Sequence, residues 1–144
     1  MESRKIRASS VGQLTKHVSV GPNGSTGNDY ALDSNHDLIF DMTLPPGAIA
    51  TKVEVRGAYA VASSGTSTLK VGSVSDDDGV ASAINLKTAG GTSTPGYASA
   101  DTSGDNADKF RFTIASSNTV SSGPIRIWLE YRFDPDIVWS QDAL

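Results

Sequence analysis

The chain has two histidines, His17 and His36, and the second lies in Asp33-Ser34-Asn35-His36-Asp37. A hydrolytic reading makes His36 a general base, oriented by Asp33 or Asp37 and drawing a proton from a serine. Nothing in the spacing selects which serine, and no strand-to-helix nucleophile elbow surrounds one. A polar histidine in a surface turn accounts for the segment more simply, and the chain is expected not to be an enzyme. The run Asp76-Asp77-Asp78 beside Gly79 offers carboxylates to calcium, a hard cation that favours oxygen ligands. It lacks the alternating spacing and the distant glutamate of a helix-loop-helix calcium loop, and adjacent carboxylates on an extended chain diverge. Asp76, Asp77 and Asp78 are therefore weak metal candidates beside the alternative of a solvated acidic turn. The absence of cysteine removes disulfides, thiolate zinc sites and cysteine nucleophiles. No cofactor is expected.

Other residues are suited to contact a partner. Trp128 falls on the polar face of the strand Ile125–Phe133, between Arg126 and Glu130, which is the profile of an interface anchor. A sheet buried on both faces would make it a core residue instead. Ile137-Val138-Trp139 sets three apolar residues in an acidic tail, where they are expected to pack under the sandwich or, slightly preferred, against a partner. Arg4, Lys5 and Arg7 crowd the first seven residues, whereas the last segment carries Asp134, Asp136 and Asp142 without Lys or Arg. That polarity could join one subunit's head to a neighbour's acidic surface, or it could be two solvated termini. The formal charge of −4 argues against a nucleic-acid binder that neutralises phosphates over a broad face.

The elements that must position these residues read as strands. Leu44-Pro45-Pro46-Gly47 is a stiff turn that feeds Ile49 to Val61, with Val53, Val55, Tyr59 and Val61 on one side and Lys52, Glu54 and Arg56 on the other. Before it, Leu38, Phe40, Met42 and Leu44 share a face, with Ile39 as the apolar exception on the polar side. Ser63-Ser64-Gly65-Thr66 reads as a hairpin turn into Thr68 to Gly72. Val80 to Leu86 reads as an irregular crossing, and residues 88 to 107 as a long loop around Pro95 and Tyr97. Lys109 to Ile114 and Ile125 to Phe133 close the pattern, joined by the turn Ser121-Ser122-Gly123-Pro124.

Five to seven strands without an amphipathic helix give an all-β fold, an antiparallel β-sandwich or jelly roll. At 144 residues, with 38% hydrophobic and 19% charged residues, one core is expected. The expected organisation is an extended N-terminal arm over 1–36 with one short strand at Lys16 to Val20, a sandwich over 37–133, and a tail over 134–144. Ordering a Gly/Ser-rich arm costs on the order of 1–2 kcal/mol per residue, and a neighbouring molecule is the simplest surface to offset it. No signal peptide and no apolar run of membrane-spanning length is visible, so synthesis in the cytoplasm as a soluble protein is expected.

The turn and strand from Leu44 to Val61, the Leu69 to Gly72 strand with its Asp78-Gly79 turn, the Gly90 to Tyr97 segment and Ile127-Trp128-Leu129-Glu130-Tyr131 together resemble small structural proteins of tailed bacteriophages. The nearest resemblance is to capsid decoration, or cement, proteins, and it covers about residues 38 to 133. It implies a β-sandwich on the outer capsid surface of the virion that bridges neighbouring major capsid proteins and self-associates, as a trimer sooner than a dimer. It implies no catalytic residue, no nucleic acid and no membrane. The N-terminal arm and the Ile137-Val138-Trp139 tail would bridge subunits. A rival reading is a carbohydrate- or receptor-binding module of a phage fibre, with Tyr97 and Trp128 as stacking platforms.

Overall fold

The computed structural model describes residues 14–88 and 92–133. They form nine strands: β1 (Leu14–Gly21), β2 (Tyr30–Ala31), β3 (Leu38–Thr43), β4 (Ala48–Arg56), β5 (Ser67–Ser73), β6 (Ala81–Asn85), β7 (Thr92–Ser99), β8 (Lys109–Ser116) and β9 (Ile125–Phe133). Two sheets result, one ordered β2-β1-β9-β4-β7 and the other β3-β8-β5-β6. Every strand pair is antiparallel except the two-residue match of β1 with β2. No helix among the described residues is long and apolar enough to cross a membrane. The fold is an all-β sandwich.

Alternation of side chains builds the core between the sheets. The five-stranded sheet contributes Val20, Ala50, Val53, Val55, Ile125, Ile127 and Leu129; the four-stranded sheet contributes Phe40, Met42, Leu69, Val71, Phe110, Phe112 and Ile114. Ala50 and Val53 are both buried although an odd number of positions separates them, because the register shifts between Ala50 and Lys52. The extra residue, Thr51, turns its hydroxyl to donate to the Glu130 carbonyl at 3.2 Å. The Phe40 ring stacks on Phe112 at 4.9 Å, and Tyr30 stacks on Phe40 at 4.3 Å, so one row of rings runs from the edge strand β2 into the four-stranded sheet.

Several expectations change. The described part of the 1–36 segment is not a free arm: β1 pairs with β9 over seven residues, and Val20 and Leu32 are buried in the core. The surface that orders residues 14–32 is this chain's own sheet. Residues 1–13 lie outside the described residues, as do 134–144. The long strand ends at Arg56, because Gly57 takes φ 83 and a side chain there would stand 2.8 Å from the Pro124 carbonyl. Tyr59 and Val61 still reach the core.

The Ser63 to Thr66 segment is not a hairpin, since β4 and β5 belong to different sheets, and the Ser121 to Pro124 turn likewise crosses from one sheet to the other. Val80 to Leu86 contains a strand, β6, in a hairpin with β5 whose register shifts between Leu69 and Val71. The middle of the expected long loop, Thr92–Ser99, is strand β7, an edge strand on which Pro95 opposes Lys52 at the bulge. Proline lacks a ladder donor and is tolerated at such an edge.

Tyr59 ties the two halves of the five-stranded sheet together. Its buried hydroxyl donates to the Val20 carbonyl at 2.9 Å, and burial pushes its pKa above the ordinary tyrosine value. Tyr59→Phe deletes that hydroxyl and keeps the ring, and is expected to cost about 1–2 kcal/mol. Urea unfolding should show a lower midpoint at unchanged slope; an unchanged midpoint would mean the bond contributes nothing net.

Candidate functional site

The outer face of the five-stranded sheet collects the most reactive side chains of the described residues. Period-two alternation sends Arg126, Trp128 and Glu130 outward from β9, Thr15, His17 and Ser19 from β1, and Lys52, Glu54 and Arg56 from β4. The register aligns them in rows: His17, Trp128 and Glu54; Thr15, Glu130 and Lys52; Ser19, Arg126 and Arg56. His17 stacks on Trp128 with ring centroids 4.3 Å apart and planes inclined by 21°. Trp128 is half-buried, and its Nε1 is shielded from solvent without a hydrogen-bond partner among the described residues.

A cleft of about 190 Å³ opens beside the indole, lined by Thr15, Lys52, Glu54, Arg56, Trp128 and Glu130. His17 does not line it, so the imidazole braces one side of the indole and the cleft lies on another. Glu54 sits between two cations, accepting from Arg56 Nε at 2.7 Å and facing Lys52 Nζ at 3.8 Å. Glu130 Oε1 accepts from the Thr51 hydroxyl at 3.2 Å. The carboxylates of the face are thus committed to neighbours, whereas the tryptophan N–H is not.

His36 is elsewhere, at the end of the sandwich. Its backbone takes φ 63, and the surrounding carboxylates hold the turn. Asp33 Oδ1 accepts from the N–H groups of Asn35 at 2.9 Å and Asp37 at 3.0 Å, and Asp37 Oδ1 accepts from the Ser116 N–H at 2.8 Å. These bonds give both aspartates a turn-forming role.

The Asp76 to Gly79 segment forms the β5–β6 turn. The Gly79 N–H donates to the Asp76 carbonyl at 3.1 Å, the Asp76 N–H donates to Ser73 Oγ at 3.1 Å, and Asp77 pairs with Lys70 at 3.2 Å. Among the described residues no group of three His, Cys, Asp or Glu is arranged to hold a metal ion. A hydrogen bond that its protonated carboxyl donates to the Asp78 side chain raises the Asp76 pKa, reinforced by partial desolvation and by repulsion from Asp78 and Asp77. A carboxyl with a raised folded-state pKa contributes stability at pH below its unfolded value, and that contribution is lost as pH rises through the folded value. Asp76→Asn is therefore expected to raise the melting temperature at neutral pH, with the gain shrinking as pH falls into the carboxylate range. A pH-independent difference would refute the electrostatic cause.

Of the residues named in the sequence as partner contacts, Trp128 is the one among the described residues, and it lies on this outer face. Arg4, Lys5, Arg7, Ile137, Val138 and Trp139 lie outside the described residues. Tyr97 belongs to β7, two strands from β9. His17 was not expected beside Trp128. Alternation reveals which residues leave a strand on the same side, but not which strand becomes its neighbour.

These features define an all-β sandwich with one outward face that is both aromatic and charged. No protein-family description matches the chain, and no curated protein matches it. Among solved structures it is similar to a chain of the "Cyanophage Pam1 capsid asymmetric unit", at 20% identity and a TM-score of 0.45, over 85% of this chain and 87% of that one. A likeness of that degree carries no statement about activity or partner.

Proposed function

We propose that this chain is a non-enzymatic structural protein of a bacteriophage virion, which binds the outer surface of the capsid and bridges neighbouring major capsid proteins. The observation that carries this reading is Trp128, held rigid by His17 on the outer face of the central strand β9, away from the core. Flat aromatic anchors in a charged surround are the groups that dominate protein interfaces. The resemblance to decoration proteins over residues 38 to 133 supports the same reading, and so does the strand order. Taken without the short β2, the strands enter the sheets in the sequence first, eighth, third, sixth and second, seventh, fourth, fifth, an order in keeping with the wrapping of a jelly roll. His36 supports it too, because its Nδ1 is shielded without a hydrogen-bond partner among the described residues, so neither Asp33 nor Asp37 orients it as a general base.

The test is sedimentation of the purified chain with empty shells built from the same phage's major capsid protein, with light scattering for its own solution mass. The chain should pellet with shells and raise their melting temperature, since a ligand of the assembled state stabilises it. Trp128→Ala should weaken that binding by about 30-fold or more, the cost of truncating a central anchor, at a nearly unchanged melting temperature of the free chain. A wild-type chain that stays in the supernatant would overturn the reading, and specific retention on a glycan array would favour the carbohydrate-binding alternative.

A further inference from the structure

Arg56 and Arg126 are paired directly opposite each other on β4 and β9, and both are exposed on the Trp128 face. Like charges in that relation destabilise a sheet. On the outer face of the other sheet the comparable position is compensated: Arg111 opposes Asp41 and donates to it twice, at 2.9 Å and 3.1 Å. Arg56 uses its Nε on Glu54, which leaves its terminal amino groups available, and Arg126 has no partner among the described residues. Of the described carboxylates on this face, Glu54 is taken by Arg56 and Lys52, Glu130 accepts from Thr51, and Asp29 is held by Ser19, so none pairs with Arg126. Beside the arginine pair lies the shielded, unpaired indole N–H of Trp128.

We propose that Arg56 and Arg126, with Trp128 beside them, form an anion-binding corner that takes a carboxylate-bearing segment of the protein partner. The proposal rests on the capsid-binding reading above and names the chemistry of what that partner presents. A guanidinium binds a carboxylate through two parallel hydrogen bonds, and an acidic segment relieves the repulsion that the empty pair carries. Glu54 and Glu130 flank the corner and limit it to one or two anionic groups at a time, too few for the run of phosphate contacts that holds a nucleic-acid backbone.

Two measurements separate this inference from the reading beneath it. The chain has two tryptophans, so full-length protein carrying Trp139→Phe reports on Trp128 alone. Titrated with an oligoglutamate peptide at low ionic strength, it should show a saturable change in Trp128 emission that fades at high salt. Arg126→Glu in the same background should weaken the interaction by about tenfold or more, while the melting temperature holds or rises because the like-charge pair is gone. Lys109→Glu, the same charge change on the other sheet, should bind as the parent does. No saturable response, an unaltered response in Arg126→Glu, an equal response to oligolysine, or tighter binding of oligophosphate would each overturn the proposal.

The second measurement repeats shell sedimentation with Arg126→Glu. If shells bind wild type and variant equally, the corner is wrong and the capsid reading stands. If oligoglutamate binds at the corner but shells bind neither protein, the corner stands and the partner is not this capsid.

Discussion

Phe112→Ala is expected to destabilise the protein by about 3–5 kcal/mol, the range for deleting a buried phenylalanine ring. Phe112 is fully buried on β8, the strand flanked by β3 and β5, and pairs with Phe40 on one side and Val71 on the other. The Phe40 and Phe112 planes are inclined by only 7°, and Tyr30 covers the far side of Phe40. Removing the inner ring leaves Phe40 stacked on one side only. The outer two rings are fixed to different sheets, so they cannot close the gap without separating strands. Domains of this size have a total stability of about 5–15 kcal/mol, so the loss approaches the whole margin. Urea unfolding at constant slope is the measurement. A cost below that of Tyr59→Phe would show that the sandwich collapses freely around the void.

Gly72→Ala comes second, at about 3 kcal/mol, the upper part of the range for forcing atoms into a packed site. Gly72 is buried on β5 opposite Arg111, and the β5–β6 turn folds back over it. A methyl group there would run into the Asp76 carbonyl oxygen and come within 2.6 Å of the Asp77 carbonyl carbon and 2.7 Å of the Gly79 nitrogen. All three are backbone atoms, so no side-chain rotation relieves the overlap and the turn itself must move. Amide hydrogen exchange should then accelerate in β6 while β1 and β9 stay protected. Gly24→Ala is the contrasting case: φ is +80 but nothing lies within 4 Å, leaving only the left-handed backbone penalty of roughly 1–2 kcal/mol. Equal melting temperatures for the two variants would mean that the turn accommodates the methyl.

Strands with a strong apolar alternation were legible in the sequence: β3, β8 and β9 stand where Phe40 and Met42, Phe110 and Phe112, and Ile125 to Leu129 placed them. The edge strands β6 and β7 were not. β6 and β7 consist largely of Ala, Ser, Thr, Gly and Pro, residues that also compose loops, and only their ladders with β5 and β4 identify them. β1 offers just Leu14, Val18 and Val20 as apolar residues on its inward side, with Lys16 breaking the run, too little to announce that it pairs with β9. The candidate site divides in the same way. Trp128 between Arg126 and Glu130 is local information, carried by one strand. The His17 stack, the Glu54 bridges and the opposed arginines depend on β1, β9 and β4 lying side by side, and positions this far apart in the chain carry no shared spacing that could reveal it.

The place of β9 between β1 and β4 sets an order of events at the ribosome. The chain is made from its N-terminus, so β1 and β4 emerge as strands whose common neighbour does not yet exist. Only the β5–β6 pair joins strands adjacent in the chain within one sheet, apart from the two-residue match of β1 and β2. Nearly every other contact must wait for a distant segment, and such topologies fold slowly. Until Ile125–Phe133 is synthesised, the hydrogen-bonding edges that will later hold it are open to other nascent chains on the same message, so the last of the described strands to be made is also the one that closes those edges to aggregation.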